Sequence, residues 1–407
     1  MSPVRAVGVG VVCALGVVAC SAGSDPDDGA DSPDSTLTAE PVDSAPILTS
    51  RPAPPSTSTT LPPVEDGPLG DVCPQRIVIQ TAMLPGPDVG PLFELLGPDP
   101  QIDGASATVS GGLVRVDGTE EDVVLEIRSG GPAVGFRSPL ELLTTDPEIL
   151  LAQTSAAVAM RDASTFPSVG VVTLTDRSRD VIIVDPQSHP DVDSIDGVRD
   201  AGIEVRHVTD SPFTTFLEGT GALSADQLVA GFDGEPAAFV QSGGSIAQQG
   251  DQLVEPVLIP SLPQWGRPVV AIDAESAGWV DHDDSLAVRT DDVDDQRECL
   301  ERLVPVIQEA TVAYVAAPEL SNDLMSFARA GFAPLSRLTA DLMDEGVSLG
   351  VSTGVFGDGA DSTVGNFDIA RLEPFFAEFA DVLGIEPVPA ADVVTNEFID
   401  PSVTLEG

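Results

Sequence analysis

Arg76-Ile77-Val78-Ile79-Gln80-Thr81, cut off by Pro85-Gly86-Pro87, is the stretch from which the chain is best read. A β-rich run closed by turn residues predicts a strand. Working outward, the pattern repeats. Val123-Val124-Leu125-Glu126-Ile127 ends at Gly130-Gly131-Pro132, and Ile149-Leu150-Leu151-Ala152 predicts a third strand. Val169 to Leu174, Val181 to Val184, Ile203 to Val208 and Val269-Val270-Ala271-Ile272 are further apolar runs. Helix signals fall between them: Ser138 as the cap of a helix through Leu143, then Ser155 to Met160, Pro212 to Leu217 and Pro236 to Val240. From Asp291 onward the pattern turns helical. Cys299, Leu300, Leu303, Val304, Ile307 and Ala310 share one face, and helices follow over 318–330, 334–345 and Ile369 to Leu383. Strands alternating with helices imply an α/β fold, with parallel sheets covered on both faces.

The 407 residues suffice for two to three domain-sized units. Eighteen basic residues, all arginine, stand against 66 acidic ones, for a net charge of -48. That balance excludes nucleic-acid binding, which needs a basic face. It also excludes a basic juxtamembrane anchor. Such acidity reads most simply as a solvated, self-repelling surface. Four cysteines are too few for a disulfide scaffold and wrongly spaced for a zinc ribbon.

The chain opens with an address. Arg5 precedes an apolar run from Ala6 to Ala19 that is too short to span a bilayer. Residues 1–19 read as a secretory signal. Val17-Val18-Ala19-Cys20 resembles the lipobox of bacterial lipoproteins, in which the cysteine becomes the lipidated first residue. Acylation by more than one chain at Cys20 would hold the protein firmly at the extracytoplasmic face of the cell membrane. Residues 20–70 read as a disordered tether. Nine acids face Arg51 alone, and Ser, Thr and Pro dominate, as in Ser56-Thr57-Ser58-Thr59-Thr60. Cys13 is lost on cleavage. Export leaves Cys73 and Cys299 free to pair, the alternative being two separate buried thiols.

Several pieces recur in a recognisable order. They include Ile77-Val78-Ile79-Gln80-Thr81, Leu125-Glu126-Ile127-Arg128-Ser129-Gly130-Gly131-Pro132, Val184-Asp185-Pro186, Phe232-Asp233-Gly234, Gln248-Gln249-Gly250 and Trp265-Gly266-Arg267-Pro268-Val269. The most specific are Cys299-Leu300-Glu301-Arg302-Leu303-Val304-Pro305 and Thr395-Asn396-Glu397-Phe398-Ile399-Asp400-Pro401-Ser402. Over 72–405 the chain resembles the solute-binding lipoproteins of ABC transporters, of the nitrate/taurine/thiamine-precursor type. The resemblance implies the two-lobed type II periplasmic-binding-protein fold, each lobe a mixed, mostly parallel sheet flanked by helices. Lobe one would be 71–167 plus 268–407 and lobe two 168–267, with the hinge near Phe166–Val171 and Pro263–Val270. It further implies a monomer that closes its lobes on a small molecule and docks on an ABC transporter permease, without covalent chemistry, cofactor or metal.

Ligands of such sheets sit outside the carboxyl ends of strands. That rule nominates Thr81, Ala82 and Met83 after the first strand, Gly130 and Gly131 after the second, and Thr154 and Ser155 after the third. In the second lobe it nominates Ser211, Phe213 and Thr214 at a helix start, with Trp279 following the Val269–Ile272 strand. The chain also departs from the relatives it resembles. Their first loop often carries an acid, a tryptophan and a histidine, where this one reads Thr81-Ala82-Met83-Leu84-Pro85-Gly86-Pro87-Asp88. Their Asn-Thr-Asp-Glu-Ala becomes Gln153-Thr154-Ser155-Ala156-Ala157. The expectation is a more apolar or differently charged ligand, or a binding-deficient relative acting as a surface or complex-assembly lipoprotein.

Enzyme motifs fare poorly. Gly350-Val351-Ser352-Thr353-Gly354 matches G-x-S-x-G, but the histidines, His189, His207 and His282, all lie upstream, so a Gly-rich turn is expected. His282-Asp283-Asp284 lacks a second histidine at ligand spacing and reads as a solvated loop.

Overall fold

A computed structural model describes residues 67–405 apart from 233. The signal segment, Cys20 and the tether up to residue 66 lie outside the described residues. In chain order the strands are β1 (Arg76–Gln80), β2 (Gln101–Asp103), β3 (Thr108–Val114), β4 (Glu120–Arg128), β5 (Ile149–Thr154), β6 (Ser168–Thr173), β7 (Asp180–Val184), β8 (Val205–His207), β9 (Leu228–Ala230), β10 (Ala247–Asp251), β11 (Val270–Asp273) and β12 (Ser285–Arg289). The helices are α1 (Gly90–Glu94), α2 (Pro139–Thr145), α3 (Ala156–Asp162), α4 (Ile195–Asp200), α5 (Pro212–Gly219), α6 (Ala237–Gln241), α7 (Glu255–Ser261), α8 (Arg297–Ala316), α9 (Glu319–Phe332), α10 (Ala340–Thr353) and α11 (Ile369–Leu383).

One sheet runs β2-β3-β4-β1-β5-β12-β6 and the other β11-β7-β10-β8-β9. Both are mixed. Parallel pairing is confined to β4-β1-β5 and β10-β8-β9, so the mostly parallel sheets of the expectation carry antiparallel strands at their flanks. β1 shows why a continuous apolar run is needed at the centre. Ile77 and Ile79 point into a core with Leu303, Val304 and Ile307 of α8, while Val78 points into a second core on the opposite face.

Sheet pairing moves the lobe boundaries. β6 hydrogen-bonds to β12 in the first sheet, and β11 to β7 in the second. The chain therefore crosses between lobes at 174–179 and 274–284, not at Phe166–Val171 and Pro263–Val270. The physical reason lies in Ser285–Arg289, a buried strand that fills the gap between β5 and β6 and draws β6 into the first sheet. Helices from the carboxyl-terminal part clasp the second lobe as well: α10 packs on α7 and α11 on α5.

The folded part starts before residue 71. Leu69 is fully buried, and its amide donates to Glu121 Oε2 at 2.7 Å. Cys73 is bonded to Cys299 on α8, with Cα atoms 4.7 Å apart. The bridge fastens the segment leaving the tether to the longest helix. It closes a loop of 226 residues, which in the chain-entropy model stabilises by about 5 kcal/mol. The double variant Cys73→Ser/Cys299→Ser is expected to lose up to that amount in denaturant titrations, with an unchanged far-ultraviolet spectrum in the absence of denaturant.

Candidate functional site

The two crossings meet at a cavity of about 180 Å³ lined by Ser155 and Val158 from the first lobe, Asp180, Pro212, Gly250 and Asp251 from the second, and Arg179, Trp279 and Asp283 from the crossings. Both lobes and both crossings supply walls. A larger hollow of about 1000 Å³ at the end of α10 and the start of α11 is walled by the first lobe and the first crossing alone.

Arg179 organises the charge. Its Nε donates to Asp284 Oδ2 at 2.7 Å and its Nη2 to Asp284 Oδ1 at 3.0 Å, while Nη1 pairs with Asp251. Asp88, after β1, lies 3.7 Å from Nη2. Gln153 completes the network, its Nε2 donating to both Asp88 Oδ2 and Asp284 Oδ1. The carboxylates hold Arg179 well above its ordinary value against the opposing effect of burial. Asp283 Oδ2 accepts from the Arg179 amide and from Ser178 Oγ, and Asp180 Oδ1 from Gln249 Nε2.

Carboxyls outnumber the single guanidinium, and their proton affinities record it. Burial, reinforced by Asp283, raises Asp180 well above the usual carboxylate range, and burial raises Asp283 too. Burial pushes Asp251 up to about 6 despite Arg179. Burial and the Asp251 charge push Glu255 to about 8, and burial with the Asp283 charge pushes Asp281 to about 7.

The residues nominated from sequence part company here. Ser155 and Trp279 line the cavity. Ser155 caps α3, accepting from the Val158 amide at 3.1 Å. Ser211 caps α5 beside the cavity-lining Pro212, and accepts from Gln249 Nε2 at 3.1 Å. The others serve the fold. Thr81 is buried and donates to the carbonyls of Met83 and Arg128. The Ala82 amide donates to Gln153 Oε1, and Met83 is exposed against Gly131. The Gly130 amide goes to Met83 O rather than toward a solute. A Cβ at Gly130 would lie 2.3 Å from Thr81 O, so this glycine permits two loops to meet. Thr154 is buried and donates to Ser155 O, and Thr214 Oγ1 lies 3.0 Å from His207 Nδ1. Phe213 has no exposed surface and sits 5.9 Å from the Trp279 ring.

Asp180, Asp251, Asp283 and Trp279 line the cavity from elements other than the first and third loops. Two expectations are corrected. The His282-Asp283-Asp284 segment is not a solvated loop. His282 and Asp284 are fully buried, and burial beside Arg371 lowers His282 to about 3, leaving it neutral. Its Nε2 then accepts from the Asp368 amide at 3.2 Å. Gly350 to Thr353 is the last turn of α10, not a turn on its own, and Gly354 is its left-handed cap. Among the described residues no acid or histidine cluster could hold a metal ion. Nor is any helix long and apolar enough to cross a membrane.

No family model and no curated protein matches the chain. Solved structures do. The ligand-binding component of an ABC-type import system from Staphylococcus aureus, solved with zinc bound, matches 82% of this chain and 100% of its own at 11% identity and a TM-score of 0.52. The periplasmic aliphatic sulphonate binding protein SsuA of Escherichia coli matches 82% of this chain and 94% of its own at 14% identity and a TM-score of 0.50. The chain has the periplasmic-binding-protein fold.

The raised carboxyls give the protein a stability profile. Unfolded, they return to ordinary carboxylate values, so between pH 5 and 8 the folded state holds more protons than the unfolded one and stability falls as pH rises. Without added solute, the melting temperature is expected to drop on the order of a few degrees between pH 5 and pH 8. Differential scanning calorimetry across that window checks it; a rise with pH would contradict it.

Proposed function

We propose that this protein is the solute-binding component of an ABC importer, anchored outside the cell membrane by a lipid on Cys20. The observation that carries the reading is the cavity walled by both lobes at their two crossings. A solute there touches both lobes at once, so it binds the closed form more tightly than the open one and shifts the population toward closure. The closed form then presents both lobe tips to a membrane permease. The protein does no covalent chemistry in this scheme. Residues 20–66 supply the reach between the lipid and the folded part, and the disulfide transmits the attachment to α8.

One observation favours a second reading, a surface lipoprotein that no longer cycles between open and closed forms. Trp279 packs at once on Phe213 and Phe216 of α5 and on Phe375 and Phe379 of α11, with ring centroids 5.1–5.9 Å apart. Opening must either carry α11 with the second lobe or expose this cluster.

Two measurements test the main reading. Cys20→Ser is expected to abolish incorporation of an alkyne-labelled fatty acid and to move the protein from the membrane to the soluble fraction. A thermal-shift panel of nitrate, sulfonates, aminopyrimidines, flavins, nucleobases and polyamines on the purified full chain is expected to give one class that raises the melting temperature. At a hundredfold excess over its dissociation constant the gain is roughly 2.7 kcal/mol, or a few degrees. Silence across the panel would favour the second reading.

A further inference from the structure

We infer that α11 is a latch: anchored to the first lobe at both ends and packed on the second along its body, it holds the lobes closed before any solute arrives. Such a latch acts whatever the cleft encloses, under either reading above.

Both ends of α11 are tied to β6 of the first sheet. Before the helix, the Phe367 amide donates to Asn396 Oδ1 at 2.8 Å, and Asn396 Nδ2 donates back to Phe367 O at 2.9 Å. Phe367 sits against Gly170 of β6, where a Cβ would come within 3.1 Å of its ring. After the helix, the Gly170 amide donates to Val393 O at 2.8 Å and the Thr395 amide to Gly170 O at 2.9 Å. The Ala390 amide ties this return to α11 itself, through Glu373 Oε2 at 2.8 Å. While these bonds stand, α11 cannot travel with the second lobe.

The body of the helix nevertheless lies on the second lobe. Phe375 and Phe379 meet Phe216 of α5 with ring centroids 5.7 and 6.2 Å apart. Val382 fills the space over Gly219 at the end of α5, where a Cβ would lie 2.3 Å from Val382 Cγ1. All three phenylalanines are buried in one continuous apolar core. That core joins Val78, Ala152 and Met160 of the first lobe to Ile182, Val184 and Phe213 of the second. Swinging the lobes apart would put the rings of Phe216, Phe375 and Phe379 into water together, against the main force that packs them.

The first turn of α11 also grips both crossings. Arg371 Nη2 donates to Asp176 O in the first at 2.7 Å and to His282 Nε2 in the second at 3.1 Å. Hinge opening is absorbed by backbone rotation in a few such connecting residues, and here one side chain holds both connections. Release of α11 therefore comes before opening. Solute entry waits on it, so the observed association rate levels off as solute is raised.

Double electron–electron resonance on the full chain without added solute reads the lobe separation. Spin labels on non-canonical ketone side chains at Asp99 in the first lobe and Asp226 in the second, both exposed, leave the disulfide intact. Native mass spectrometry verifies that no small molecule has come through purification. The parent is expected to give one narrow distribution at the separation of this structure. Phe375→Ala with Phe379→Ala, and independently Gly219→Leu, are each expected to add a second, longer distance. Gly219 is exposed, so its leucine pushes on Val382 without entering the core; melting curves verify that each variant folds. Glu378→Ala, on the exposed face of α11, should leave the single distance. A parent that already shows the longer distance would overturn the latch, as would a folded Gly219→Leu protein that keeps only the short one. Either result would leave the importer reading, which solute binding tests, standing.

Discussion

One guanidinium holds the junction of this protein together. Arg179 reaches Asp88 after the first strand of one lobe, Asp251 at the end of a strand of the other, and Asp284 in the returning crossing. Those carboxyls come from four separated parts of the chain if Arg179 itself is counted, and nothing apolar could bring them together. Charges taken out of water are tolerated only when paired and hydrogen-bonded. Gln153 and Thr175 complete that pairing on the Asp284 side. The lobes are thus fixed by an electrostatic pivot, backed by the aromatic cluster around Trp279.

The pivot is crowded with more carboxyls than one guanidinium can pair, and burial drives several of them toward the neutral form. Here one arginine serves Asp88, Asp251 and Asp284 while Asp180 and Asp283 line the adjoining cavity without an arginine side chain of their own. Shifted proton affinities crowded into one cleft are what nominate it as a candidate site.

The centre of the fold was legible in the sequence because buried parallel strands must be apolar on both faces. Ile77–Ile79, Val123–Ile127 and Ile149–Ala152 announced β1, β4 and β5, and the spacing of Cys299 to Ala310 announced α8. β10 was not legible as a strand. Its Gln248-Gln249-Gly250 core is polar, yet it is buried, with Gln249 hydrogen-bonded to Asp180, Ser211 and the Val208 amide. β12 was missed because Asp281 to Asp284 precede it, and four titratable residues read as solvent-facing when their partners are unseen. The third helix of the carboxyl-terminal part lay later than expected, at Ala340–Thr353 instead of 334–345, since Thr339 caps it. The site followed the same logic. Loops after strands were found by rule, which reached Ser155 and Trp279. Arg179, Asp180, Asp251 and Asp283 stayed hidden, because in a chain with 66 acids no single carboxylate stands out. The local signal was there in Arg177-Ser178-Arg179-Asp180, a rare pair of arginines placed between two apolar runs.

The most direct test of this account is the stability of Arg179→Met by denaturant titration at neutral pH, alone and combined with Asp251→Asn and Asp284→Asn. Removing the guanidinium alone leaves buried carboxylates unpaired and is expected to cost about 3–5 kcal/mol. Neutralising those two partners in the same chain should recover much of the loss. An Arg179→Met protein as stable as the parent, or a triple variant whose losses simply add, would contradict the claim that this one charge holds the lobes' junction together.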